Sequence, residues 1–219
     1  MKIVIVEDQL FMREAIRYAC LEQLGCEVVG EAEHGVAAIQ LVCQVKPDLV
    51  ILDIGLPDFD GFVVATTVLK QLPMIRFLVM SASLDDFTIY RAGKIGVHGF
   101  LDKGSNTIDQ LSVALEAIAA GQTHYSPSFH AARRALRVNT QSFEKILSSS
   151  EQEILALIGE GLSDKEIGLR LGISPTTSQT HRSKILQKLN IKGTPKLIVY
   201  AIRNGFAQVP GHASAYSRI

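Results

Sequence analysis

Short apolar runs recur through the first 121 residues, each followed by a stretch whose apolar positions return every three or four residues. The runs predict strands over 2–7, 27–32, 49–53, 76–81 and 98–102, and the longer period predicts helices over 11–24, 35–45, 61–72, 85–95 and 106–120. Five repetitions of strand then helix imply an α/β domain built on a doubly wound, five-stranded parallel sheet with helices on both faces. Lys46-Pro47-Asp48, Leu72-Pro73 and Gly121 supply stops for the second, third and fifth helices.

The pattern then changes. Periodicity fades over 122–146, which reads as a linker holding one short basic helix, Phe129 to Val138, with Arg133, Arg134 and Arg137. From 147 to 208 no strand signal survives, and the residues predict a second, all-α domain of four helices. Ser148 with Glu151 and Ser163 with Glu166 are capping-box pairs for helices over 149–160 and 164–171. Ser174-Pro175 opens a third helix to about Leu189, and Thr194-Pro195 a fourth to about Asn204. Residues 209–219 read as a flexible tail.

Charge separates the same two halves. Residues 1–121 hold 9 Lys+Arg against 16 Asp+Glu, and residues 122–219 hold 13 against 6, so a net charge of zero hides an acidic half joined to a basic one. A basic half makes nucleic acid or an anionic membrane surface a candidate partner. Cys20, Cys26 and Cys43 lack metal-ligand spacing and read as reduced thiols in or near the core. Without a signal peptide or an apolar stretch of membrane-spanning length, the chain reads as a cytoplasmic protein with no membrane partner.

The strand ends carry the chemistry. Asp53 closes the run Leu49-Val50-Ile51-Leu52, Glu7-Asp8 follow the first strand, Ser81 ends the fourth, and Asp102-Lys103 follow the fifth. In an open parallel sheet these ends share one rim, where such folds bind ligands. Two carboxylates about 4 Å apart at a half-buried rim repel by roughly 4 kcal/mol at an effective dielectric of 20. A cation must compensate, and a small all-oxygen set suits Mg²⁺. A carboxylate so neutralised can attack phosphorus, while Lys103 and Ser81 would bind phosphoryl oxygens.

The set Glu7-Asp8, Asp53 with Pro57 and Gly61 following, Ser81-Ala82 and Lys103 resembles the receiver domain of two-component response regulators. That resemblance implies that Asp53 is the phosphoacceptor for a sensor histidine kinase. It also implies that Asp8, Asp53 and the Gly55 carbonyl hold Mg²⁺, with Glu7 assisting. Ser81 and Phe100 become a hydroxyl and aromatic switch pair, and Lys103 completes the site. Two positions depart from common patterns: Gly104 replaces the proline that many receivers carry after the lysine, and Gly55 offers no side chain beside the phosphoryl group, which would leave it open to water.

The helices over 164–171 and 175–189, joined by Gly172-Ile173-Ser174, have the length and glycine-bearing turn of a helix-turn-helix. No Asp or Glu occurs from 167 onward, as closeness to phosphates requires. Leu147 through Phe206 resembles the LuxR-type DNA-binding domain, and joined to a receiver it is similar to a NarL/FixJ-type response regulator. The resemblance implies major-groove entry by the third helix, a dimer contact by the fourth, and a homodimer on double-stranded promoter DNA. Gln179, Thr180 and Ser183 are expected near bases, Arg182, Lys184 and Lys188 nearer phosphates, and Thr177 among the DNA-binding residues. Ser178 stands where the family usually has an apolar residue, and Gln179 where it has a cation.

The function expected is phosphorylation-controlled DNA binding and transcription rather than enzymatic turnover. A small-molecule phosphatase would use the same carboxylate, but it would need a second proton-donating acid where Gly55 stands. A phosphorylation-independent DNA-binding or scaffold protein is the other alternative.

Overall fold

The computed structural model describes residues 1–23, 25–58, 60–104, 108–139 and 142–207; the tail expected over 209–219 lies outside the described residues. The apolar runs form β1 (Lys2–Val6), β2 (Glu27–Ala32), β3 (Leu49–Asp53), β4 (Arg76–Ser81) and β5 (Gly99–Asp102), all paired in parallel. Every residue of β3 is buried, as its unbroken apolar run requires of a central strand covered on both faces. Around the sheet lie α1 (Leu10–Tyr18), α2 (Gly35–Val45), α3 (Gly61–Gln71), α4 (Asp86–Ile95) and α5 (Ile108–Ala119). The helix expected over 11–24 passes into a π-helical segment at Ala19–Gln23.

One expectation is corrected. Among the described residues the sheet has six strands, in the order β2-β1-β3-β4-β5-β6, because β6 (His124–Tyr125) pairs with β5. Fading periodicity predicts a linker after Gly121, yet His124 N–H donates to the His98 carbonyl and Ser126 N–H to the Phe100 carbonyl. Those bonds satisfy groups that a terminal β5 would leave unpaired. The Tyr125 hydroxyl donates to the Val97 carbonyl at 2.6 Å, and Phe129, near the start of α6 (Pro127–Val138), is fully buried. A two-residue strand is too short for alternation to reveal it.

One sheet face presents Ile3, Ile5, Leu49, Ile51, Leu78, Met80 and Leu101 to Ile16, Ala19, Cys20, Leu111, Leu115 and Ile118 from the α1 and α5 side. Burial pushes the Cys20 thiol up to about 12, so it remains protonated and behaves as a core residue.

The chain divides into two units, Met1–Leu84 with Arg91–Ala131, and Asp85–Tyr90 with Ala132–Ile219. The second contains α7 (Phe143–Ile146), α8 (Ser149–Gly159), α9 (Asp164–Leu171), α10 (Pro175–Lys188) and α11 (Thr194–Arg203). Both expected capping boxes form, Ser148 with Glu151 and Ser163 with Glu166. Gly172 takes the left-handed conformation at φ 67° that ends α9, and Ser174 caps α10 by accepting the Thr177 N–H. In the core of this unit Ile154, Leu155, Ile158, Ile167, Ile185, Leu197 and Ala201 are buried, and the rings of Phe87, Tyr90, Phe143 and Phe206 pack together. Among the described residues no helix is long and apolar enough to cross a membrane.

Candidate functional site

Sheet register sets the site. Val6 lies beside Leu52, Asp53 beside Met80, and Ser81 beside Asp102, so Glu7, Asp53, Ser81 and Lys103 emerge along one edge. The order reverses between β1 and β3, the switch point at which an open α/β sheet leaves a crevice. Asp53 is 5% exposed and Glu7 1%. Lys103 Nζ bridges them, 2.8 Å from Asp53 Oδ2 and 2.7 Å from Glu7 Oε2. The other Asp53 oxygen, Oδ1, accepts the Gly55 N–H at 3.1 Å. A Cβ on Gly55 would meet nothing nearer than the two Asp53 carboxylate oxygens, 3.7 Å away, so the space beside the carboxylate is open.

The loops are fastened from behind by residues that periodicity alone does not mark. Arg13, buried in α1, donates to the Glu7 carbonyl at 2.7 Å and pairs with Glu31 and Glu33, which anchors the turn bearing Glu7 and Asp8 to the end of β2. Asp58 accepts the N–H groups of Gly35 and Val36 at the start of α2. Asp60 caps α3 through the Phe62 N–H and takes a bidentate bond from Arg91, whose guanidinium lies 4.6 Å over the Phe62 ring. The only sequence hint of these clamps is charge adjacent to the motif.

Of the expected switch pair, Ser81 is buried and turned into its own loop, donating to the Ser83 carbonyl at 2.9 Å and accepting the Ser83 N–H. Phe100 is fully buried, its ring centre 4.8 Å from that of Phe129, which stacks in turn on Tyr125 at 4.9 Å. Sequence reasoning misses Phe129 as a neighbour of Phe100, and Tyr125 behind it, because they fall in a stretch without clear periodicity.

Glu7, Asp8 and Asp53 each bring a carboxylate oxygen within 4.8 Å of the others. A buried Asp8 oxygen has no hydrogen-bond partner among the described residues, the state expected of an atom that awaits a cation. Burial, with the Asp53 charge adding to it and Lys103 opposing, pushes the Glu7 carboxyl up to about 7. Lys103 is raised: burial pulls it down, but Asp53 and Glu7 outweigh that. Few hard oxygen donors around a surplus of negative charge fit Mg²⁺.

The Glu7 shift sets a pH dependence. A folded pKa above the unfolded one stabilises fully below about 4.5, and that stabilisation drains away as pH rises through about 7. Chelator-treated protein is therefore expected to lose on the order of 2–3 kcal/mol between pH 5 and pH 8 from this group. Urea melts of Glu7→Gln, compared with the parent, should lack that component. Mg²⁺ requires ionised ligands, so its apparent affinity should climb over the same window. Parallel stability profiles for the two proteins would refute the assignment.

In the second unit, α9 and α10 form the expected helix-turn-helix, with Ile167 and Ile185 at its core and Leu171, Ile173, Leu186 and Leu189 half-buried. Thr177, Gln179, Thr180, Ser183, Lys184 and Lys188 lie on the exposed side of α10. The Thr180 and Ser183 hydroxyls donate to carbonyls one turn back, and Thr177 Oγ1 lies 2.8 Å from the Ser174 hydroxyl. Two expected phosphate contacts are engaged internally. Arg182 bonds Asp164, and Lys188 Nζ lies 2.8 Å from a Glu151 oxygen in the α8 capping box. Burial would raise Glu151, but bonds from Lys188 and Ser148 hold it below the usual carboxylate range.

Residues 3–116 match the model of the response regulator receiver domain, and residues 145–201 that of bacterial regulatory proteins of the luxR family. The response regulator protein VraR of Staphylococcus aureus is 30% identical over 207 residues, covering 94% of this chain and 99% of its own. RcsB of Salmonella enterica serovar Typhimurium, solved bound to promoter P1flhDC with phosphomimetic BeF3⁻, shares the fold at TM-score 0.64 and 21% identity over 91% of this chain and 97% of that one. A LuxR-family two-component response regulator from Aurantimonas sp. SI85-9A1 is 28% identical at TM-score 0.59, covering 63% of this chain and 98% of its own.

Proposed function

Because the chain belongs to the response regulators that join a receiver to a LuxR-type DNA-binding domain, we propose that a sensor histidine kinase phosphorylates Asp53 and that this controls binding to promoter DNA. One observation carries the reading: a buried carboxylate at a strand end, with one oxygen held by Lys103 and the other by a backbone N–H. Asp8, Asp53 and the Gly55 carbonyl, with Glu7 assisting, would hold Mg²⁺, which would supply the positive charge that lets a carboxylate approach an anionic donor.

An Asp53 oxygen attacks phosphorus, the P–N bond to the kinase histidine breaks, and its electron pair leaves with the imidazole. Lys103 exchanges its Asp53 bond for a phosphoryl oxygen, and the Ser81 hydroxyl turns from Ser83 to donate to another. Phe100, on the neighbouring strand two residues before the partner of Ser81, repacks with it. The phosphorylated population shifts toward a homodimer, with Gln179, Thr180 and Ser183 facing base edges, Thr177 contacting the DNA beside them, and Lys184 facing phosphates. The protein acts in the cytoplasm and turns over no small-molecule substrate.

Incubation with Mg²⁺ and acetyl phosphate tests this. A single labile phosphoryl group per chain, accompanied by dimerisation in gel filtration and tighter DNA binding, is the expected result. Steady release of phenol from a generic aryl phosphate would favour the phosphatase instead.

A further inference from the structure

Asp164, the first residue of α9, collects three donors on one carboxylate oxygen: Ser178 Oγ at 2.8 Å, Arg182 Nη2 at 3.1 Å and Arg182 Nε at 3.2 Å. The remaining arm of that guanidinium, Nη1, donates to Thr194 Oγ1 at 3.3 Å, at the first residue of α11. Ser178 and Arg182 are one turn apart on α10, so they reach the same carboxylate from one face of the helix. Ser178 is fully buried, and the Arg182 and Asp164 side chains are 15% and 28% exposed. A buried hydroxyl needs a partner, and Asp164 supplies it at the position where an apolar residue was expected.

Arg182 adjoins Ser183 and lies one turn from Gln179, both on the exposed side of α10. An arginine so placed could fork onto a phosphate. Here its fork is filled by a carboxylate, and a cation already neutralised inside the protein releases no counterion from DNA.

We propose that Asp164 is a positioning residue for DNA binding: through Ser178 and Arg182 it seats α10 against α9 and α11, and it withholds Arg182 from the phosphate backbone. This rests on the DNA-binding reading of the second unit. Affinity for DNA is then tuned by a residue on the scaffold helix that faces no base. Loss of its charge frees the guanidinium while the amide oxygen of asparagine still accepts from Ser178.

The test is fluorescence anisotropy of the full chain with a labelled random-sequence duplex, reading the slope of log affinity against log salt for the parent, Asp164→Asn, Arg182→Gln and the double variant. Arg182→Gln should leave the parent's slope unchanged. Asp164→Asn should steepen it by about 0.9, roughly a 3.5-fold larger loss of affinity across a fourfold rise in salt. The double variant should return to the parent's slope. A flatter slope from Arg182→Gln alone would overturn the proposal, since the guanidinium would already sit on phosphate; so would a gain that survives in the double variant, which would be general charge removal. Ser178→Ala keeps both charges, should retain the parent's slope and should bind several-fold more weakly; parent-like affinity would remove the seating role. Should circular dichroism show an Asp164 or Arg182 variant unfolded, the Ser178→Ala measurement decides. Absence of any duplex binding by the parent would instead defeat the DNA-binding reading.

Discussion

Asp53→Asn is expected to abolish phosphorylation by acetyl phosphate while leaving the fold intact, and with it the phosphorylation-dependent gain in dimerisation and DNA binding. The amide preserves shape, and its single carbonyl oxygen can still accept from either Lys103 or the Gly55 N–H, so one of the two bonds is lost while the apolar packing of β3 should be undisturbed. An uncharged amide is no nucleophile toward phosphorus, and the effect should be complete. Intact-mass spectrometry after incubation with Mg²⁺ and acetyl phosphate reads it directly. A phosphoryl group on the Asn variant would move the acceptor to another residue and sink the assignment of Asp53.

The second large effect concerns the cation. Lys103→Met retains much of the side-chain volume but leaves Glu7 and Asp53 facing one another in a buried setting, with side chains 1% and 6% exposed. Removing one partner from a buried ion pair costs about 3–5 kcal/mol, because the remaining charge is left uncompensated. In chelator the variant should therefore melt well below the parent. Mg²⁺ should recover more stability in the variant than in the parent, since it supplies the missing positive charge. Phosphorylation should also fall sharply, with nothing to pair with the arriving phosphoryl oxygens. A stability loss under about 1 kcal/mol would indicate a solvated lysine of the kind worth little at a surface.

Much of the fold and of the acidic site is legible in the amino-acid sequence. β3 declares itself because a parallel strand covered on both faces must be apolar throughout, and an acid at its end has few reasons to be there. Both capping boxes and the glycine ending α9 are readable because they are local: the partners lie within a few residues, and chain chemistry alone decides them. What stays hidden is long-range. Arg13 reaching the Glu7 carbonyl, Arg91 gripping Asp60 and Arg182 held by Asp164 join residues that are distant in sequence or turned by packing, and a lone charge on a polar helix face looks the same whether solvated or clamped. Arg182 shows the consequence most plainly, since its position suggests a phosphate contact while a carboxylate on the preceding helix claims it. Strand β6 escapes notice for a different reason. Two residues hold too little alternation to register, and their role follows from the need of β5 for a neighbour.

The borrowing of His124 to Phe129 by the first unit has a practical corollary for anyone dissecting the molecule. A fragment trimmed where the last sheet-flanking helix ends would bare a sticky flank and strip the cover from the inward-facing Phe100 ring, so its sluggishness or clumping would report the scissors rather than the biology. Cutting a few residues later, past Phe129, keeps the signalling half whole.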